Sequence, residues 1–423
     1  MSPDDRLTTA AADGAGQPRL ALVDALRGAA MLGIMLVNFP TMNTRAGDET
    51  TQYGGVHDGL DRAVGLANMA FCNGKFYPIF ALLFGWGLAV LWRSWSRREG
   101  RPGRLLFRRL LVLLGFGVLH IALVWWGDIL LVYAVIGLMV LPCLRCRDGT
   151  LGRGAAALLL FVPLLSPVLA LLDRMGVHAS DAVLMPGLGL ASPTSEQVGL
   201  VYGGGRFVEM LGLRLHDYLS DFTPFGQAKV SLGAVVGYGT YYAQLAGLFL
   251  LGMWAERKQL AVRLAGRGER AVAFLCWAGL AAVGLTSLRY GVAALRETLY
   301  YYQGEALALF YVATFALVFP ALGRAGRPFQ AVGRLSLTAY LAHTILASLI
   351  LYGTGLGLYG RIGPAALLVV ALVSYAIIAA CCVLWTRWFL LGPAEWVWRS
   401  LVSGRRERFR RHPAAAPADG AAG

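Results

Sequence analysis

The sequence predicts an all-α transmembrane bundle of about ten helical spans, with both termini in the cytoplasm. The chain of 423 residues is 57% hydrophobic and only 15% charged, with a mean hydropathy of +0.58. A soluble domain carries about 25% charged residues. The basic residues fall mainly in short loops between apolar segments, as they do in the cytoplasmic loops of membrane proteins. The net charge of +14 therefore indicates membrane topology and argues against nucleic-acid binding.

The chain divides into three parts. Residues 1–18 are small and polar and predict a disordered cytoplasmic tail, residues 19–403 form the membrane domain, and residues 404–423 form a basic cytoplasmic tail. Within the membrane domain, the polar stretch at about 173–230 predicts an extracytoplasmic excursion, either a lid or interfacial helices. The predicted spans lie at about 26–42, 76–92, two within 110–141, 155–172, 232–254, 271–288, 305–322, 335–352 and 364–389.

The loop after the second span sets the orientation. It holds seven arginines and one glutamate between residues 93 and 109, so it is predicted to be cytoplasmic. In the fifth span, Pro163 and Pro167 predict a kink. The six cysteines are expected to be free thiols. No metal site is predicted, because the CxxC pair Cys143 and Cys146 lacks the second ligand pair of a closed zinc site.

The third and fourth spans form a hairpin that holds two ionisable residues. His120 and Asp128 flank the turn that contains Trp125, Trp126 and Gly127. Ionisable groups in apolar spans are costly and mostly face the bundle interior or a wet cavity. A titrating histidine with a carboxylate that orients it suits general base catalysis of acyl or proton transfer. Alternatively, His120 packs against a neighbouring helix and Asp128 caps the next one.

Further polar residues recur at similar depths in other spans. Counted from the basic loops, Asn38, Lys75, Asp128 and Glu305 fall at the outer ends or in the outer halves of spans, where they are predicted to line one cavity open to the outside. Tyr340 and His343 lie deeper, nearer the middle. The predicted substrate-binding residues are Asn38, Lys75, Trp126, Glu305, Tyr340 and His343.

Several blocks of sequence match a known family. The blocks are Arg19 to Asn38, Gly74 to Gly87, Leu119 to Leu138, Val332 to His343 and Gly392 to Leu401. Together they resemble the YeiB-like family of bacterial inner-membrane proteins, and the closing Gly-Pro-x-Glu-Trp-x-Trp-Arg is the most distinctive of them. That family is largely of unknown function and is grouped with the transmembrane acyltransferases. It often has Gln where this chain has His343.

The resemblance implies a multi-pass protein of the bacterial cytoplasmic (inner) membrane that moves an acyl group from cytoplasmic acyl-CoA to an extracytoplasmic hydroxyl or amine. The acceptor would be a saccharide or another envelope component. His120 would be the general base and Asp128 its orienting partner, with Asn38 or Lys75 as an oxyanion or acceptor contact. The predicted ligands of the CoA phosphates are Arg27, Arg93, Arg97, Arg334 and Arg399.

Two other classes of function stay open at this point. The same polar residues would also suit a transporter or flippase for a small polar or lipid-linked solute. The third class is a non-catalytic partner in envelope assembly, and a homodimer is left open as the assembly. An acyltransferase should consume acyl-CoA and depend on His120, whereas a transporter should bind substrate without CoA and alternate its access.

Overall fold

The computed structural model describes residues 3–44, 58–98, 101–191, 193–260, 268–291 and 296–410, most of which are helical. The predicted all-α class is therefore confirmed. The helices are α1 (Pro3–Met42), α2 (Gly59–Phe71), α3 (Tyr77–Arg98), α4 (Pro102–Leu123), α5 (Leu130–Val140), α6 (Asp148–Leu160), α7 (Leu165–Arg174), α8 (Ser195–Gly204), α9 (Phe207–Phe222), α10 (Leu232–Arg257), α11 (Gly268–Gly291), α12 (Arg296–Leu322), α13 (Arg327–Arg334), α14 (Ser336–Leu351), α15 (Pro364–Trp388) and α16 (Pro393–Ser403). The strands β1 (Val183–Pro186) and β2 (Lys229–Ser231) form one antiparallel pair.

Within these described residues, seven helical segments are long and apolar enough to cross a membrane. They coincide with seven of the predicted spans. The other three predicted spans correspond to shorter apolar helices at Leu130–Arg145, Val272–Thr286 and Ser336–Leu351. A helix satisfies its backbone hydrogen bonds internally, which is what the hydrocarbon core of a bilayer requires. The chain is a multi-pass membrane protein of the α-helical type.

The fifth predicted span is interrupted at its prolines. Helix α6 ends at Leu160 and α7 begins at Leu165, with a 3₁₀ turn at Val162–Leu164 between them. Proline has no backbone N–H to donate and its ring clashes with the preceding turn. The predicted kink is therefore a short break in the helix.

The two predicted tails fall at the limits of the described chain. Helix α1 begins at Pro3, so it includes most of the segment 1–18 for which the composition predicts disorder, and that disorder stays a prediction. Of the basic tail, residues 411–423 lie outside the described residues.

Two apolar clusters make up most of the core. One joins α1, α14 and α15 through buried residues such as Phe39, Leu351 and Ala371. The other joins α3 to α6 with α10, and includes Leu110 and Phe249. The end of α4 and the turn before α5 lie where the two clusters meet, and this position is where polar side chains are buried.

The predicted excursion packs back onto the hairpin. Helix α9 turns Met210, Arg214 and Asp217 inward, and the Arg214 guanidinium donates a hydrogen bond of 3.3 Å to the carbonyl of Ala122 in the last turn of α4. A cation at the end of a helix is favourable, since the free carbonyls there carry partial negative charge. Helices are thus present in the excursion, and its role as a lid stays a prediction.

Candidate functional site

The hairpin turn brings the two predicted catalytic residues together. At Gly127 a Cβ atom would lie 2.3 Å from the Trp125 ring, so only glycine fits and the turn closes tightly over the end of α4. The Asp128 carboxylate then accepts a hydrogen bond of 2.6 Å from the backbone N–H of Leu131. This bond satisfies one of the free N–H groups at the start of α5. The capping role anticipated as an alternative is therefore present alongside the contact with His120.

His120 and Asp128 form a closely spaced buried pair. His120 Nδ1 lies 3.0 Å from Asp128 Oδ1, and both side chains are fully buried. The ring nitrogen is not aligned for a well-formed hydrogen bond, so the contact is mainly electrostatic. The Tyr340 hydroxyl lies 3.5 Å from the same carboxylate oxygen, at the outer limit of hydrogen bonding.

The second nitrogen of His120 contacts a residue that sequence reasoning missed. Nε2 lies 2.8 Å from the hydroxyl oxygen of Thr344 on α14, and Thr344 is also fully buried. The Asp128 carboxylate therefore lies beside one ring nitrogen of His120 and the Thr344 hydroxyl lies beside the other. Thr344 lies 224 positions from His120, and a lone threonine in an apolar span has no feature that marks it in the sequence.

A second histidine lies next to this pair. Asn38 Nδ2 on α1 lies 3.0 Å from His343 Nε2, and because the amide nitrogen only donates, the ring nitrogen accepts. The Tyr340 ring is close to both imidazoles, with its centroid 5.3 Å from that of His120 and 5.2 Å from that of His343. Three helices, α1, α4 and α14, thus meet through polar side chains in the bundle interior.

A cavity of about 280 Å³ adjoins the buried pair. Of the predicted residues, Asn38, Trp126, Asp128 and Tyr340 line it. His120, His343 and Thr344 are not lining residues, and each contacts one that is. The wall is rich in aromatic side chains with a few polar ones between them: Asn38, Thr41, Cys72, Asn73, Phe76, Tyr77, Trp125, Trp126, Asp128, Asp221, Phe222, Tyr241, Tyr300 and Tyr340.

Lys75 lies just outside the cavity. Its side chain is fully buried, its ammonium donates a hydrogen bond of 3.0 Å to the carbonyl of Met69, and it lies 5.9 Å from the Tyr300 ring centroid. Burial, together with the nearby Arg289, lowers the pKa of Lys75 to about 8. An amine with such a pKa deprotonates more readily than an exposed lysine.

Glu305 does not join this cavity. It faces a separate space of about 60 Å³ whose other lining residues, among them Pro78, Leu159 and Leu248, are apolar. One of its carboxylate oxygens has no hydrogen-bond partner. Among the residues that the structure describes, no three His, Cys, Asp or Glu side chains are grouped to hold a metal ion.

The predicted phosphate-binding arginines lie away from the cavity on four helices, with Arg27 on α1, Arg93 and Arg97 on α3, Arg334 on α13 and Arg399 on α16. Arg93 forms an ion pair of 2.6 Å with the buried Glu256, and Arg27 forms one of 3.2 Å with Asp24. Arg97, Arg334 and Arg399 are exposed. None of these five arginines lines the cavity.

Three of the five arginines share one region with Arg109. A Cβ at Gly333 would lie 1.7 Å from the carbonyl oxygen of Asp24, so α1 and α13 touch through backbone. Asp24 lies within electrostatic range of Arg334, and Arg109 within range of Arg27 and Arg399. We call Arg27, Arg109, Arg334 and Arg399 the arginine cluster. Arg27 and Asn38 are eleven residues apart on α1, so about 16 Å separates the cluster from the cavity along that helix.

A second missed residue, Glu395, explains the closing sequence block. Its carboxylate on α16 accepts hydrogen bonds from the backbone N–H groups of Leu337 and Thr338, at 2.8 and 3.1 Å, and another of 2.5 Å from the Thr338 hydroxyl. It therefore caps α14 from a different helix, where a negative charge is favourable. Trp398 completes the contact, since its indole N–H donates to the carbonyl of Arg109 and its ring lies 3.5 Å from that guanidinium.

The fold and this buried site define a multi-pass α-helical membrane protein with a polar centre beside one cavity. Residues 247–405 match the family described as protein of unknown function (DUF418). The chain is also 28% identical to the uncharacterized protein YxaH of Bacillus subtilis (strain 168) over 390 residues, which are 90% of this chain and 94% of YxaH. It is 28% identical to the uncharacterized protein YeiB of Escherichia coli (strain K12) over 401 residues, 90% of this chain and 95% of YeiB. The resemblance to the YeiB-like family is confirmed over nearly the whole chain.

Proposed function

We propose that this protein is a membrane acyltransferase that moves an acyl group from cytoplasmic acyl-CoA to a hydroxyl or amine acceptor bound in the cavity. The observation that carries the proposal is the buried His120–Asp128 pair beside that cavity. A carboxylate 3.0 Å from an imidazole stabilises the imidazolium that forms when the pair takes a proton.

The residues that line the cavity favour an acceptor that has a ring and hydroxyl or amine groups. Aromatic side chains such as Trp126 and Tyr241 offer flat apolar faces, and Asn38, Asn73 and Asp221 add polar contacts. Ligand sites of this kind combine an apolar wall with a few well-placed polar groups. A saccharide has both kinds of surface, so a sugar-like envelope component is the proposed acceptor.

In the proposed reaction the acceptor loses its proton as it attacks the acyl carbonyl. Of the pair, only Asp128 lies on the cavity wall, whereas His120 is the stronger base. We therefore assign the acceptor's proton to the pair as a coupled unit rather than to either residue alone. The Tyr340 hydroxyl and the Asn38 amide, also on the wall, are the groups that would donate to the developing oxyanion.

The donor would bind at the arginine cluster. Guanidinium groups make charge-assisted, often bidentate, contacts with phosphate, and Arg334 and Arg399 are exposed for such contacts. Arg93 is less suited, since it is already paired with Glu256. The acyl end of the donor would then cross about 16 Å along α1 to reach the cavity.

The proposed location is the bacterial cytoplasmic membrane, with the arginine cluster on the cytoplasmic side. The support is the distribution of basic loops. Single cysteines at positions 98 and 204 in a cysteine-free background test this arrangement. A membrane-impermeant maleimide should label position 204 in intact cells and position 98 only after lysis, and external labelling at 98 would reverse the orientation.

The direct test of the activity uses purified protein and acetyl-CoA, with glucose and glucosamine as trial acceptors. Release of free CoA thiol should depend on the acceptor and should be lost in His120→Ala. Intact-mass measurement of the purified protein should also detect retained CoA. Absence of both thiol release and CoA binding, across these acceptors, would contradict the proposal.

A transporter is the second candidate, and one observation favours it. None of the five predicted arginines lines the cavity, as expected if the cavity binds a small solute without CoA, in the manner of a carrier. Proteoliposomes distinguish the two functions. A transporter would take up radiolabelled glucosamine without acetyl-CoA, whereas the acyltransferase would transform it only when acetyl-CoA is present.

A further inference from the structure

The buried hydroxyl of Thr344 contacts the His120–Asp128 pair, so that a carboxylate, an imidazole and a hydroxyl lie in a row. His120 Nδ1 lies 3.0 Å from Asp128 Oδ1, and His120 Nε2 lies 2.8 Å from Thr344 Oγ1. All three side chains are buried. Carboxylate, imidazole and hydroxyl in this order form the arrangement that activates a hydroxyl as a nucleophile, whatever the fold that carries it.

One tautomer of His120 would activate the hydroxyl. With the ring proton on Nδ1, on the side of the Asp128 carboxylate, Nε2 has only a lone pair, and the Thr344 hydroxyl is then the donor in the 2.8 Å contact. The carbonyls of Tyr340 and Leu341, each 3.1 Å from Oγ1, compete for the same proton. Thr240 shows the ordinary alternative, because its buried hydroxyl donates to the carbonyl of Val236 one turn earlier in the same helix, at 2.7 Å.

The position of Thr344 brings its hydroxyl close to the cavity wall. It lies about halfway along α14. One turn before it, Tyr340 lines the cavity. An acceptor bound in the cavity would therefore lie about one helical turn from this hydroxyl.

We infer that Thr344 is the nucleophile that carries the acyl group, an inference that rests on the proposed acyltransferase function. Thr344 Oγ1 attacks the thioester carbonyl, its proton passes to His120 Nε2, the carbon–sulfur bond breaks, and CoA leaves as the thiol after taking that proton. The acceptor hydroxyl or amine then attacks the threonine ester and gives its proton to Nε2. The acyl–oxygen bond breaks, and Thr344 Oγ1 recovers the proton.

The test is to trap and locate the acyl group. Purified protein is treated with [¹⁴C]acetyl-CoA without acceptor and, separately, with p-nitrophenyl acetate, which needs no CoA site. We expect a single acetyl group on the peptide that contains Thr344, stable to neutral hydroxylamine, as an oxygen ester is and a Cys72 thioester is not. Thr344→Ser should retain the adduct, whereas Thr344→Val should lose it and should lower acceptor-dependent turnover at least about 10²-fold. Thr240→Val is the matched control and should leave both unchanged.

The outcomes separate this inference from the proposed function. Acyl-CoA turnover by wild-type protein without a Thr344 adduct, or normal turnover in Thr344→Val, would overturn the inference while the acyltransferase function stands. Labelling of Thr344 by p-nitrophenyl acetate, with no CoA binding or turnover, would support Thr344 as the nucleophile. It would exclude acyl-CoA as the donor and so contradict the proposed function. Failure of both reagents to label Thr344 in folded wild-type protein would also overturn the inference.

Discussion

The two ends of the bundle differ in how many of their basic side chains are buried. Beside the cavity, His120, Asp128 and Lys75 are buried. At the arginine cluster, Arg334 and Arg399 are exposed, and basic residues in cytoplasmic loops are expected from topology alone. Burying an ionisable group has a large free-energy cost unless it is paired or hydrogen-bonded. The cavity end therefore needs a functional explanation, whereas most of the charge at the arginine cluster does not.

Contacts at the arginine end hold in place the helices that carry the polar centre. At the arginine end, the buried carboxylate of Glu395 is used to cap α14, and Arg108 donates to the carbonyl of Leu401 at 3.0 Å. These contacts join α4, α14 and α16. Because α4 carries His120 and α14 carries Thr344, these contacts hold the polar centre in register two to three helical turns away.

The largest expected effect is at the cavity end. Since a positioned base contributes about 10²–10⁴-fold in rate, His120→Ala should lower acceptor-dependent release of CoA by that factor, and Asp128→Asn should lower it by a smaller one. Turnover is measured per folded molecule, with acetyl-CoA affinity and Tm recorded for each variant. His178→Asn is the control, because His178 is exposed and Asn tolerates its left-handed φ of 47°. Normal turnover in a well-folded His120→Ala protein would exclude the proposed mechanism.

The next prediction tests whether the arginine cluster binds the donor, or whether its charge only reflects membrane topology. If Arg334 and Arg399 hold CoA phosphates, replacing both with Ala should weaken acetyl-CoA binding by about 1.5–3 kcal/mol, or roughly 10–150-fold in Kd. Titration calorimetry measures the change. Arg206→Ala with Arg361→Ala removes the same charge from exposed positions elsewhere and should leave Kd unchanged. Equal affinity in both double variants would show that the cluster does not bind the donor.

A third prediction concerns stability at the same end. Glu395→Gln should lower the free energy of unfolding by about 1.5–3 kcal/mol, because its three hydrogen bonds to α14 lose their charge assistance. The melting temperature in detergent reports the loss, at about 2–4 °C per kcal/mol for a domain of 150–250 residues. Glu209→Gln removes the charge from an exposed ion pair with Arg206 and keeps an amide oxygen that can accept from the Arg206 N–H, so it should change Tm little. Equal shifts in the two variants would argue against the capping role.

The smallest effect is the pH dependence set by Lys75. Its pKa is about 8 in the folded protein, against an ordinary value of 10.5. Between these values the unfolded chain binds a proton that the folded protein does not, so the free energy of unfolding rises with pH across that window. Lys75→Met should remove this rise in a series of Tm measurements, whereas Lys229→Met, at an exposed position, should preserve it. A wild-type Tm that falls from pH 8 to 10.5 would contradict the assignment.

Sequence reasoning placed the helices well because the bilayer imposes simple requirements. All ten predicted spans coincide with apolar helical segments, and the break at Pro163 follows from the missing backbone donor. The contact between His120 and Asp128 could also be predicted, since only one short turn separates the two residues in the sequence. Glu305 is the clearest failure: its depth matched the other polar residues, and its face of α12 points to a different, apolar space.

The sequence by itself thus determined the class of protein, the spans, the hairpin and the family resemblance, since each depends on hydropathy, turn chemistry or local spacing. Only the tertiary structure decided that Thr344 contacts His120, that Asn38 contacts His343 and that Glu395 caps α14, across separations of 224, 305 and 58 residues. The physical reason is that hydropathy sets a helix's length and depth but not its rotation about its own axis. That rotation depends on how side chains of distant helices fit together.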